Sequence, residues 1–195
     1  MKKNVVLVTG TPCVGKTTVA KELAIRLDGL YVNLTELSRQ YDLGVQEDEA
    51  RNTTIIDENK MRHKLTEVIK DSEKNNVVID GHYASAVTPK HEVTRVFVLR
   101  RNPIELHKFM LKCGFKDQKL WENLASEILD SCLVEAIQEQ DEKKVCELNV
   151  TDKSTTEVVD NILAILSGSK ECHIGGIDWL GMLEELGKTD EYLKL

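Results

Sequence analysis

Apolar positions along this chain switch between two periods. "NVVLVT", Asn4 to Thr9, is a short β-branched run of the kind that forms a strand buried on both faces. "GKTTVAKELAIRLDG" then places Val19, Leu23 and Leu27 four apart, which predicts a helix with one apolar face, stopped at Gly29. The alternation recurs. "GLYVNL", "NNVVIDGH", "TRVFVLR" and "KVCELNV" read as four further short strands. A short helix in "TELSRQYDLG" follows the second strand, and the next helix is capped by Asp57, with Met61, Leu65, Val68 and Ile69 on one face. Pro103 opens another, at the position where a missing N–H costs nothing. Gly114 breaks the chain, and Asp117 starts a long helix containing Leu120, Leu124, Ile128 and Leu129. Ser154, with Glu157 three positions on, forms a capping box for the helix in "STTEVVDNILAIL". "GVQEDEARNTT", residues 44–54, is polar and aperiodic and reads as a mobile segment. "SGSKECHIGG" reads as a linker, and "IDWLGMLEELG" as a short amphipathic helix folding back on the body. Strands alternating with helices predict an α/β fold, a five-stranded parallel sheet covered on both faces.

Size agrees with one compact domain, since the chain has 195 residues and 41% hydrophobic content. A net charge of −7 disfavours broad nucleic-acid binding through a basic surface. Five cysteines, none in a C-x-x-C pair, argue against a zinc site or a disulfide framework and fit a reducing cytosol. No apolar run approaches the roughly 18 residues that a membrane span needs, so a cytoplasmic protein is expected.

Chemistry enters between the first strand and the first helix. Gly10, four residues, Gly15, Lys16 and Thr17 make G-x-x-x-x-G-K-T, a phosphate-binding loop. Its glycines let successive N–H groups point inward around a polyphosphate at a helix N-terminus. Lys16 would reach the β- and γ-phosphates, and the Thr17 hydroxyl would ligate Mg²⁺. Cys13 stands inside the loop, either as a small tolerated side chain or as a thiol activated by the surrounding N–H groups. Asp80 ends the apolar run "VVID" and cannot stay buried and unpaired, which makes it the candidate carboxylate for the metal shell. His82, two residues on, would project at the same rim. No N-K-x-D element for guanine is present, so a signalling GTPase is disfavoured.

The loop together with "YVNLTELSRQ", "IIDENK", "VVIDGHY", "RVFVLR" and "GFKDQKLWENLASEIL" resembles the adenylate kinase isoenzyme six family, over about residues 4–167. These are small nucleoside-monophosphate-kinase-like proteins linked to ribosome maturation. The D-x-H after the third strand is the most specific mark, and the tail "GGIDWL" is similar to C-terminal extensions of archaeal members. The resemblance implies a phosphate-loop kinase domain over residues 1–167, followed by the linker and helix of residues 168–195. It implies that Gly10, Cys13, Gly15, Lys16, Thr17 and Thr18 hold ATP, with Lys153 lining the base pocket. Thr17 and Asp80 would stand at Mg²⁺, and Lys16, Asp80 and His82 would serve catalysis, the histidine assisting phosphoryl transfer or ATP hydrolysis. Residues 33–56 would bind the monophosphate, with Asn33 and Arg39 at the acceptor, and residues from about 112 to 122 would form a lid carrying Lys112, Cys113 and Lys116.

One stretch departs from the family. Members read R-L-x-x-R-G-Y entering the lid, whereas this chain reads "FMLKCGF", with Phe109 and Cys113 at the two arginine positions. A guanidinium clamps phosphate with planar, paired bonds that lysine cannot reproduce. Arg100, Arg101, Lys108, Lys112 and Lys116 lie close enough in sequence to substitute in part. The departure weakens phosphoryl transfer more than nucleotide binding, and so two readings follow. One is transfer of the ATP γ-phosphoryl to AMP or another nucleoside monophosphate, with ATP hydrolysis alongside. The other is an ATP-switched assembly factor that grips a small-subunit ribosomal protein of the universal S-eleven family, with "QEDEA" and "QEQDE" as acidic stretches able to meet a basic partner.

Overall fold

The computed structural model describes residues 2–48 and 53–194. Strand β1 (Asn4–Thr9) leads through the phosphate loop into helix α1 (Lys16–Arg26). Then come β2 (Leu30–Asn33), α2 (Leu34–Gln40), the strand pair β3 (Gly44–Asp48) and β4 (Thr53–Ile56), and α3 (Glu58–Asp71). Next are β5 (Asn76–Asp80), the single turn α4 (Ala84–Val87), β6 (Val93–Arg100), α5 (Pro103–Lys112), α6 (Asp117–Ile128) and α7 (Ser131–Glu139). Finally β7 (Val145–Asn149) precedes α8 (Thr155–Leu166), α9 (Trp179–Glu185) and α10 (Thr189–Tyr192).

The main sheet has five strands in the order β2-β5-β1-β6-β7, every neighbouring pair parallel, as the run of buried strands predicts. Period-two alternation divides the side chains between two cores. Val6, Val8, Val78, Phe97 and Leu99 face α1, α5, α6 and α8, and Leu183 of α9 and Tyr192 of α10 join them. Val5, Leu7, Val77, Ile79, Val96 and Val98 face α2, α3, α4 and α7. The expected caps are present. Asp57 accepts from the Lys60 amide at 3.0 Å, and the Ser154–Glu157 box closes in both directions. Strand order reverses around β1, so its carboxyl end and that of β5 open onto one crevice, where ligands of such sheets bind.

Three elements differ from their sequence signals. Residues 44–54 were expected to lack regular structure, yet β3 and β4 pair as an antiparallel ladder, Asp48 opposite Thr53. Residues 49–52 of that segment, and with them the end of "QEDEA", lie outside the described residues. The long helix from Asp117 stops at Ile128, because Asp130 takes a left-handed conformation (φ 58°) and turns its carboxylate toward Arg100. Leu129, expected within that helix, falls just past its end and is exposed.

Cysteine usage is the third. Cys146 of β7 is bonded to Cys172, 26 residues on, so the argument against a disulfide framework passed over one bridge, while Cys13, Cys113 and Cys132 stay free. The bridge fastens the segment read as a linker along the outer strand. There the Glu147 amide donates to the His173 carbonyl at 2.9 Å, so the sheet edge is covered rather than open. No helix among the described residues is long and apolar enough to cross a membrane.

Candidate nucleotide site

Two glycines shape the loop. Gly10 has φ 135°, and a Cβ there would stand 2.4 Å from the Leu99 carbonyl oxygen, so a side chain would drive β1 and β6 apart. Gly15, at φ 108°, turns the chain into α1. Between them Cys13 takes a left-handed conformation (φ 68°). Lys16 folds back over the loop, and its ammonium donates to the Thr11 carbonyl at 2.9 Å. Burial pulls the Lys16 ammonium below its ordinary value, against the attraction of surrounding groups, Asp80 and Glu127 among them. An ammonium so placed gains most from a new anionic neighbour.

Asp80 is buried at the end of β5, with β2 beside it (Asn33 opposite Asp80) and β1 on the other flank (Val8 opposite). Three donors meet on its Oδ2: Thr17 Oγ1 at 2.7 Å, Asn33 Nδ2 at 2.8 Å and Tyr31 Oη at 2.9 Å. Asn33 also accepts the Glu36 amide at 3.0 Å, so one side chain both caps α2 and orients the carboxylate. Burial raises the Tyr31 phenol well above its ordinary value, which keeps it a donor. The Thr17 hydroxyl spends its proton on Asp80, so its lone pairs face the loop. Two hard oxygens in that arrangement fit Mg²⁺. Among the described residues no group of three or more His, Cys, Asp or Glu side chains is placed to hold a metal ion, so these two oxygens would share the ion with water and phosphate.

His82 is held from the backbone, its carbonyl accepting from Thr9 Oγ1 at 3.0 Å, and its ring lies edge-on to Tyr83 with centroids 4.8 Å apart. The ring shows a face to solvent, but the crevice around it is crowded with protein. Desolvation there, with the Lys16 and Lys119 ammonium groups adding to it and Asp80 opposing, lowers its pKa from 6.5 to about 4. The ring is therefore neutral at pH 7. The unfolded chain binds this proton below about pH 6.5, so the stability tied to His82 is whole above that value and is lost as pH falls toward 4. An NMR titration of the His82 ring in nucleotide-free protein is expected to give a midpoint near 4, and one near 6.5 would contradict this electrostatic picture.

The lid region has a different balance of cations from the one expected. Arg100 is sealed inside the protein on Glu127, Glu147 and Asp130, so its sequence-based role as a substitute phosphate clamp is withdrawn. Arg101 is the guanidinium at the loop. It donates to the Val14 carbonyl at 3.2 Å, pairs with Glu105 at 2.7 Å and lies 4.9 Å from the ring centre of Phe109, which is 37% exposed. Lys112 approaches the same ring, while Cys113 and Lys116 are exposed. Cys13 is no activated thiol: burial and the neighbouring Cys113 raise its pKa to about 12, against Lys16. Lys153 donates to the Asn149 carbonyl at 2.7 Å beyond β7, and Arg39 and Thr18 are exposed on α2 and α1.

Two residues of this site carried a signal that motif reading passes over. Tyr31 sits two before Asn33 on one face of β2, and polar groups at alternate positions of a strand end point the same way. Glu127 stands seven after Leu120, on the apolar stripe of α6, where a carboxylate has to be paired.

Comparison with known proteins places this geometry among nucleotide-handling folds. A family model described as an AAA domain matches residues 6–130. A protein of Methanocaldococcus jannaschii named "Putative adenylate kinase" is 34% identical over 174 residues, covering 89% of this chain and 92% of that protein. One of the same name from Saccharolobus solfataricus is 36% identical, covering 94% of this chain and 95% of its own length. Among solved structures, shikimate kinase from Acinetobacter baumannii superposes with a TM-score of 0.61 at 16% identity, over 87% of this chain and 96% of that one. Thymidylate kinase from Candida albicans gives 0.53 at 14% identity, over 86% and 92%. At such identities these two show the fold alone, a five-stranded parallel sheet of the phosphate-loop kinase type.

Proposed function

This chain belongs to the family of those archaeal relatives, and on that premise we propose that it transfers the γ-phosphoryl group of ATP to AMP or another nucleoside monophosphate, hydrolysing ATP as a side reaction. The observation that carries the proposal is the meeting of Lys16, Thr17 and Asp80 at one crevice rim, within a loop whose two glycines have positive φ. Phosphoryl transfer asks for positioning and charge neutralisation more than for covalent chemistry. Lys16 leaves the Thr11 carbonyl for the phosphates, and the N–H groups between Gly10 and Thr18 hold them in place. Mg²⁺ held by Thr17, and by Asp80 through water, would neutralise phosphate charge. Neutral His82, at the same rim, would donate its ring N–H to an oxygen of the acceptor phosphate, or accept a hydrogen bond from an attacking water in the hydrolytic reaction.

In this reading residues 33–56 form the monophosphate side, with Arg39 turned to the acceptor, and Asn33 contributes by fixing Asp80. Residues 112–122 cover the crevice, bringing Lys112 and Lys116 to the nucleotide and Cys113 against the loop, while Lys153 borders the base. Arg101 supplies a guanidinium that the Phe109 and Cys113 positions lack. The setting is cytoplasmic. Steady-state assays with ATP, AMP and Mg²⁺ are expected to yield ADP well above a Lys16→Ala control, and ADP no higher than that control would end the kinase proposal.

A second reading is favoured by one observation, the sealing of Arg100 in the interior while Phe109 and Cys113 stand at the lid mouth. With weak clamping there, ATP binding and hydrolysis would switch the grip on a ribosomal protein of the S-eleven family, in keeping with a role in small-subunit maturation. Pull-downs with that protein, with and without ATP, separate the readings, because a purely metabolic kinase retains none.

A further inference from the structure

Glu127 is 1% exposed and spends both carboxylate oxygens on three different parts of the chain. Oε2 accepts the hydroxyl of loop residue Thr11 at 2.5 Å. Oε1 accepts Arg100 Nε at 2.9 Å, the Arg101 amide at 3.0 Å and the indole N–H of Trp179 at 3.1 Å. Thr11 is itself fully buried, and its carbonyl is where the Lys16 ammonium rests. The C-terminal segment thus stands two hydrogen bonds from the loop, and one more from its lysine.

The segment is built to stay there. Trp179 and Leu183 are buried, and Asp178 caps their helix through the Gly181 amide at 2.8 Å. Upstream, the Gly176 amide donates to Glu147 Oε2 at 3.2 Å, and Glu147 binds Arg100 at 2.6 Å, so the tail meets the same ion cluster twice. Cys172 ties its start to β7. A helix needing only apolar anchorage has no use for an indole N–H aimed at a carboxylate already shared by the loop.

We infer that Glu127 is a positioning residue for the nucleotide loop, and that the C-terminal segment, through Trp179, is part of what sets the loop's geometry. When Lys16 turns to the phosphates, its bond to the Thr11 carbonyl goes, and Thr11 is left anchored through its hydroxyl, by the Glu127 carboxylate at 2.5 Å and by the weaker contact with Cys132 Sγ at 4.0 Å. The indole N–H holds that carboxylate in place. Nucleotide binding and docking of the tail are then linked, and each strengthens the other. The inference rests on the loop binding ATP, as proposed above.

Two measurements test it on the full chain. ATP with Mg²⁺ is expected to shift the Trp179 indole N–H resonance of the wild-type protein, assigned with a Trp121→Phe variant. Trp179→Phe keeps an aromatic ring at the site but removes the indole N–H together with the pyrrole half of the side chain, so some packing is lost as well as the donor. It is expected to raise the ATP dissociation constant of the folded protein by roughly 2- to 30-fold. A purely structural role would lower thermal stability and leave that constant unchanged. Wild-type affinity in folded Trp179→Phe would overturn the inference. If that variant does not fold, the wild-type resonance decides, and an indole signal indifferent to saturating ATP overturns it. Calorimetry showing no ATP binding by the wild type would instead remove the nucleotide reading and this inference with it.

Discussion

Asp80→Asn is expected to lower ATP turnover by about 10²-fold or more and to raise the Mg²⁺ concentration needed for half-maximal rate. The substitution keeps size and removes charge. Thr17, Asn33 and Tyr31 all donate to Oδ2 of Asp80, and an array of three donors is matched to an anion. An amide accepts less strongly, and its NH₂ turned toward the crevice would offer a bound Mg²⁺ neither a negative charge nor an acceptor for its water. Folding should suffer less than catalysis, since the oxygen facing the donors survives and the loss is of the order of 1–3 kcal/mol. Tyr31→Phe provides the graded comparison. It removes one of the three bonds, about 1 kcal/mol, while the carboxylate keeps its charge, so its rate should fall by much less. Initial rates across a Mg²⁺ series check both. An unchanged Mg²⁺ dependence in Asp80→Asn would mean that the carboxylate does not face the metal.

The loop and the sheet were legible because their signals are local. Glycine spacing, a β-branched run and a helix onset fall within some twenty residues, and Asp80 announces itself as a carboxylate ending an apolar strand. Caps at Asp57 and Ser154 read out for the same reason. What failed was non-local. The β3–β4 ladder is made by backbone pairing across a polar stretch without periodicity, so hydropathy gives no cue. The Cys146–Cys172 bridge depends on the linker running beside β7, which no spacing reveals. Arg100 and Arg101 are adjacent in sequence with opposite fates, one sealed and one at the loop, because β6 ends between them. Sequence places both near the site. Only the strand terminus tells which one turns inward.

That inward arginine carries the largest stability prediction. Arg100→Met is expected to destabilise the fold by about 3–5 kcal/mol, because it leaves buried carboxylates without their cation. Glu127 and Glu147 are buried and cannot regain water in place, whereas Asp130 is 37% exposed in its side chain and contributes little to the loss. Burial already pushes the Glu147 carboxyl upward against the pull of Arg100, so losing the arginine should drive it further upward. Part of the loss is then recovered in acid, and the gap between variant and wild type should narrow as the solution is acidified and Glu147 takes up its proton. Arg100→Lys keeps charge but not the fork that spans Glu127, Glu147 and Asp130, so it should recover only part of the stability. Thermal melts are the check, with Arg100→Met expected roughly 6–20 °C below wild type at neutral pH. A variant melting within a degree or two of wild type would mean that the cluster is held by its apolar surroundings and not by the charge at its centre.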